Sequence, residues 1–306
     1  SDGYNLTAYR GKVYAHNIFA PYGRLWYVDT NVTSSGHGKN WANAFKTMAE
    51  AFAVLDCGDQ IFFVGNILEQ ISTPALVFDV SVIGAGNRPR HMDSSPGGSN
   101  KAGATWRPLA AGTATPCCTV QQQGWHFANF LAMGPNAKEF FQLYRTVESA
   151  NERDASHAEF LGIRFASGYD AIKDPGGCYG VKIKGCRFLA QTNFAIVGVG
   201  NIGVGQSAWE ILNNSFDGNI NHVKIASFAS KIKGNFFDDG GTPNTTVVLN
   251  TNNGGGANNM VVDNYFQTAT ANFDTPDIVG CATDVWRNVG FDGQTGMIGL
   301  ELGVPA

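Results

Sequence analysis

The chain has 306 residues, 38 of them glycine and 21 phenylalanine; only 15% are charged, and the formal net charge is −4. An acidic balance without a basic stripe argues against a nucleic-acid partner, and no apolar run is long enough to span a bilayer as a helix. Few charges and many turn formers fit a β-rich chain with partly covered sides, and an elongated repeat fold can use the whole length as one unit.

Residues 1–25 carry Tyr4, Tyr9, Tyr14, Phe19 and Tyr22 among polar residues, with neither period 2 nor period 3.6, and read as a docking arm that orders against a partner. The opening Ser1-Asp-Gly-Tyr-Asn lacks the basic start and apolar segment of a secretory signal; a signal removed before this numbering is compatible with that. Residues 25–29 form a strand. Trp41, Phe45, Met48, Phe52 and Leu55, spaced 4, 3, 4 and 3, predict a helix over 41–55 with Asn40 as N-cap, covering the open end of a β-coil. Strands follow at 60–64, 77–83, 105–108 and 118–121, with a polar loop at 87–104. The charged stretch 134–159 is expected to protrude.

From there one pattern recurs: an apolar residue, a small or turn-forming residue and then Phe. It occurs at 160–165 (FLGIRF), 183–188 (IKGCRF), 211–216 (ILNNSF), 232–237 (IKGNFF) and 261–266 (VVDNYF), with a seven-residue variant at 285–291 and an earlier copy at 125–130 (WHFANF). The Phe positions from 165 to 291 lie 23, 28, 21, 29 and 25 residues apart. Self-similarity at this period marks a solenoid, and β-rich units without a helical pattern make it a parallel β-helix. A β-sandwich with accidental similarity is the competing reading. Asn214, Asn235, Asn264 and Asn288 share one place in four units. They are expected to take the left-handed conformation at the bend and to bond from coil to coil. Phe165, Phe188, Phe216, Phe237 and Phe266 are expected to stack in the lumen. The tail 297–302 is an apolar strand.

The residues Trp26-Tyr-Val-Asp29, the Gly-rich loop, Asn40–Thr47, the helix, Gly58–Phe62 and Val80–Gly86 resemble the opening of pectate-lyase-like right-handed β-helix proteins, many of them bacteriophage tailspikes and virion surface proteins. The resemblance covers about residues 26 to 292. It implies an all-β, right-handed parallel β-helix with an N-terminal capping helix, and it leaves activity open because this fold hosts lyases, hydrolases and inert stalks.

Chemistry-bearing motifs are sparse. Gly198-Val-Gly-Asn-Ile-Gly203 is a literal dinucleotide fingerprint, yet Gln206–Phe216 runs directly into a Phe box with no room for the crossover helix that motif needs. The six cysteines (57, 117, 118, 178, 186, 281) have no zinc spacing and read as reduced core thiols. No metal or cofactor is expected. The scattered histidines form no triad or zinc pattern, and His126 reads as packed. Asp170, Lys173 and Asp174 read as loop residues between coils, while Asp217 and Asp263 flank boxes; Asp238 and Asp239 would point apart if extended. Asp170, Asp217 and Asp238 are the catalytic candidates if stacking brings them to one groove, against the plainer reading of solvated turn acids. Tyr169, Tyr179 and Trp209 are the glycan-binding candidates.

The expected function is a homotrimeric bacteriophage virion surface protein, tailspike- or fibre-like or a capsid decoration, holding other virion proteins through residues 1–25 and binding host surface glycan. It would be assembled in the host cytoplasm and located in the virion. The alternative is a polysaccharide lyase or glycoside hydrolase acting on bacterial surface glycan; a secreted adhesin is a third reading.

Overall fold

The computed structural model describes residues 7–9, 12–14, 23–85, 103–145, 154–198, 206–225, 227–238, 245–249, 259–267, 278–279, 285–286 and 289–291. The chain is a parallel β-helix. Three parallel sheets run along it, each receiving one strand per turn of the coil. The first holds Leu25–Asp29, the first half of Gln60–Leu68, Ser81–Gly84, His126–Ala128, Glu159–Leu161, Lys182–Lys184, Glu210–Leu212, Lys231–Lys233, Met260–Val262 and Val285–Trp286. The second holds the other half of Gln60–Leu68, then Ala104–Arg107, Leu131–Ala132, Arg164–Gly168, Arg187–Gln191, Ser215–Asp217, Phe236–Asp238, Tyr265–Gln267 and Val289–Phe291. The third holds Ile71–Ser72, Cys118–Val120, Glu139–Leu143, Asp170–Asp174, Phe194–Gly198, Asn221–Ile225, Thr245–Leu249 and Ile278–Val279. We count coils from the turn that begins at Gln60, so the Phe boxes from 160 to 266 span coils four to eight.

Each box is the bend from the first sheet to the second. Phe165, Phe188, Phe216, Phe237 and Phe266 are all at most 1% exposed and stack in register, with centroids 4.7–4.9 Å apart and planes within 14°. Asn214, Asn235 and Asn264 are buried and form the expected ladder. Asn214 donates from its backbone N–H and from Nδ2 to Asn235 Oδ1 at 2.9 and 3.0 Å, and Asn235 repeats both bonds to Asn264. Asn288 lies outside the described residues. The left-handed residue is the one before each ladder position: Gly162, Gly185, Asn213, Gly234 and Asp263 have φ between 54° and 67°. The bend and the ladder are therefore separate jobs, and the ladder Asn performs only the second.

The structure corrects several expectations. The earlier box copy is offset by two residues: Phe127 is the register partner of Phe160, and Ala132, not Phe130, that of Phe165. The 41–55 helix is instead a 3-10 turn, Trp41–Asn43, and a helix of five residues, Met48–Phe52. Asn40 caps the first through a bond from the Asn43 N–H. Phe45 lies extended between them, exchanging backbone bonds with Tyr27 and Asp29 as a bridge beside the outermost described strand of the first sheet. Thr47 then starts the helix with a capping box to Glu50. Part of 134–159 does not protrude. Glu139–Leu143 is a strand of the third sheet with Phe140 and Phe141 buried, while 146–153 lie outside the described residues. Asp170–Asp174 is likewise a strand rather than a loop. Cys117, Cys118, Cys178 and Cys186 are buried free thiols, whereas Cys57 is exposed; Cys281 is not described. Burial raises all four buried thiols, Cys186 to about 12, which keeps them unreactive at neutral pH. Of the docking arm, Thr7–Tyr9 and Lys12–Tyr14 pair antiparallel; its other residues before Gly23 and the 297–302 strand lie outside the described residues. No helix of the described residues is long and apolar enough to cross a membrane.

Candidate functional site

Successive residues of a strand point to opposite faces. Because the box Phe points into the lumen, the residue on either side of it in the second sheet points outward. Arg187, Ser215, Phe236 and Tyr265 precede the box Phe in coils five to eight and form one outer column through the register. Asp217 and Asp238 follow it and are direct register partners, with Leu189 one coil before them.

This outer face combines a ring platform with carboxylates. Phe236 and Tyr265 are half-buried and parallel to within 7°, with centroids 5.1 Å apart, so two aromatic rings continue on the outside the spacing of the Phe stack inside. Arg187 Nη2 lies 2.6 Å from Asp217 Oδ2, a charge-assisted bond spanning adjacent coils. The Asp217 and Asp238 backbones are one strand spacing apart, about 4.8 Å. The Gly218 N–H donates to the Asp238 carbonyl at 3.1 Å and ties the turn after Asp217 to the next coil. Among the described residues no cluster of three metal-ligating side chains occurs.

Of the three catalytic candidates, the structure thus brings Asp217 and Asp238 together and separates Asp170 from them. Asp170 opens a third-sheet strand and is fully buried, so it cannot meet a polymer on the surface. Its Oδ1 accepts from Asn193 Nδ2 and the Phe194 N–H, both at 2.8 Å, which makes it a rung between coils four and five. Burial raises its pKa, against the lowering effect of those two bonds. Its register partner Glu139 is also buried, with Lys173 Nζ 3.8 Å from Oε2.

The three glycan candidates are not brought together either. Trp209 is fully buried, donating from Nε1 to the Cys178 carbonyl at 2.7 Å, so it offers no ring face to a sugar. Tyr169 lies half-buried at the turn from the second to the third sheet. Tyr179 lies half-buried at the return to the first sheet, with the Arg145 guanidinium 5.6 Å from its ring centre and the His157 ring edge-on at 4.8 Å. Phe236, Tyr265 and Arg187, which share the outer face with Asp217 and Asp238, were not among the sequence candidates. The signal for them was present, because each precedes a box Phe and alternation alone turns it outward.

The outer face of the first sheet is a ladder of alternating basic and acidic residues. His126, Glu159, Lys182, Glu210 and Lys231 are successive register partners, and Glu159 lies 2.9 Å from both His126 Nδ1 and Lys182 Nζ. His126, expected to be packed, is half-exposed here. The bond from His126, then that from Lys182, outweighs desolvation and lowers the Glu159 pKa to about 2.

No family model matches the chain, and no curated protein does. Solved structures with a similar fold include pectate lyase Pel9A (TM-score 0.44, 13% identity, covering 82% of this chain and 71% of that one). Others are the GH136 lacto-N-biosidase from Eubacterium ramulus (0.48, 9%, 87% and 56%) and a rhamnogalacturonan lyase (0.32, 12%, 88% and 62%). The β-helix itself stands on the parallel ladders described above.

Proposed function

We propose that the protein binds polysaccharide along the outer face of its second sheet, over coils five to eight. The observation that carries this reading is the conjunction, on one face, of the parallel Phe236 and Tyr265 rings with the Asp217–Asp238 register pair and Arg187. Aromatic rings offer apolar area to the C–H face of a sugar, and fixed carboxylates accept from its hydroxyls. A solenoid repeats these groups along its axis, which suits a ligand that is itself a repeating chain. The setting is the one the family resemblance implies: a homotrimeric virion surface protein, tailspike- or fibre-like or a capsid decoration, attached through residues 1–25. In the same reading, the segment from Trp41 to Leu55 covers the end of the solenoid, supported by the burial of Met48, Ala51, Phe52 and Leu55 in the core.

A second reading, a depolymerase of bacterial surface glycan, is favoured by one observation. Asp217 and Asp238 are register partners on neighbouring strands, so two carboxylates stand side by side on one outer face, and glycoside hydrolysis needs a pair of acids facing one cleft. Incubation with capsular and lipopolysaccharide preparations, read for binding and for new reducing ends or unsaturated uronates, separates the two. Binding without product supports the first reading. Product that disappears in both Asp217→Asn and Asp238→Asn replaces it with the second, and neither binding nor product contradicts both.

A further inference from the structure

In coil six, the turn from the second to the third sheet contains a contact that depends on a single proton. His222 is 2% exposed, with its ring between those of Phe216 and Phe237, 5.6 Å from each centroid. Its Nδ1 lies 3.2 Å from Nδ2 of Asn219. The orientation of that amide is set twice over. Asn219 Oδ1 accepts from the Gln191 N–H at 2.9 Å, and Nδ2 donates to the Phe188 carbonyl at 3.1 Å. A flipped amide would face an N–H with its own NH2 and a carbonyl with its own oxygen.

An amide nitrogen only donates, so Nδ1 must accept, and the proton of the neutral ring sits on Nε2. A proton on Nδ1 would set two donors against each other in a buried site. Burial also opposes the imidazolium, holding the His222 pKa at about 4, while Asp217 acts in the other direction. Asp238, on the strand of Phe237, stands on the outer face, and Lys224, on the ring's own strand, lies 5.9 Å from the Phe194 ring centre.

We propose that His222 and Asn219 form an acid-released latch, which holds the turn behind Asp217 only while the imidazole is neutral. Release would take the acceptor from the Gln191 N–H and loosen the turn Gly218–Asn219 that fixes Asp217 beside Asp238. The latch does not depend on what the outer face binds.

A basic group with a folded pKa below its unfolded value stabilises fully above the unfolded pKa. For His222, the contribution is complete above about pH 6.5 and falls as the pH drops, by up to tenfold in equilibrium constant per unit, until about pH 4. Hydrogen exchange on the full chain, corrected for intrinsic rates, tests this at the Gln191 amide. The Cys186 amide, bound to Asn214 Oδ1 at the opposite corner, is the internal control. Between pH 7 and 4.5 the expected result is a loss of protection of tenfold or more at Gln191, with Cys186 unchanged, and His222→Gln should abolish the difference by keeping an acceptor that cannot titrate. If that variant does not fold, nitrogen NMR of the wild-type imidazole replaces it, with Nδ1 expected to be unprotonated at pH 7 and to titrate near pH 4, so that Gln191 begins to lose protection before the folded ring is protonated. Equal protection of Gln191 at both pH values, equal loss at Cys186, loss persisting in His222→Gln, or a protonated Nδ1 at pH 7 would each overturn the latch.

Discussion

At the residue scale, the bend between the first and second sheets separates two demands that the sequence merges. The left-handed position is held by Gly in three coils, by Asn213 in one and by Asp263 in another; the next residue serves the ladder. Gly185→Asn should therefore be tolerated, whereas Gly185→Val should cost about 1–2 kcal/mol because a β-branched residue resists positive φ. Chemical denaturation of the two variants checks the difference. Asn235→Ala removes the acceptor of the Asn214 N–H and the donor to the Ile211 carbonyl. Two orphaned buried groups at about 1–3 kcal/mol each predict a loss of roughly 2 to 6 kcal/mol. Glu159 has the same linkage sign as His222, in a lower pH window: an acid with a folded pKa of about 2, below its usual 4.5, stabilises above pH 4.5 and loses that contribution as pH falls toward 2. Thermal midpoints measured from pH 5 to 3 should fall less steeply in Glu159→Gln than in the wild type.

At the element scale, the Phe boxes were legible because the first and second sheets alternate cleanly around one buried ring. The third sheet was legible only in part, as at 118–121. Asp170–Asp174 buries Asp170, Ala171, Ile172 and Asp174, so neither period 2 nor an apolar run marks it, and its acids read as loop residues. The helix was over-read for a related reason. Trp41 and Phe45 fit the spacing of a helical stripe, but Phe45 satisfies its backbone on the first sheet, and a separate cap at Thr47 restarts the chain as a single turn. Glu69 accepts from the Met48 and Ala49 N–H groups at 2.7 and 2.9 Å, so this short helix is held by its caps and by Phe52 against Trp125. Thr47→Ala should cost about 1 kcal/mol, read as a lower denaturation midpoint without change in slope.

At the scale of the whole molecule, a solenoid is stabilised mainly by contacts between neighbouring coils. Phe216→Ala, in the middle of the Phe stack, should cost about 3–5 kcal/mol through lost burial and a cavity. The outer face over the same coils has little structural role by comparison, which makes its function separable from folding. Stacking was expected to be able to join Asp170, Asp217 and Asp238; the register joins Asp217 and Asp238, 21 residues apart and each following a box Phe, and leaves Asp170 buried in the third sheet. Arg187, Phe236 and Tyr265 lie in strands, as the outward neighbours of the box Phe, and not at the turns where Tyr169 and Tyr179 stand. The most direct measurement is binding of the Phe236→Ala, Tyr265→Ala double variant to arrayed capsular and lipopolysaccharide polysaccharides, beside the wild type and with thermal stability recorded for both. The account predicts wild-type binding that is lost in the double variant while the thermal midpoint moves little. Binding that is undiminished in a folded double variant would contradict it.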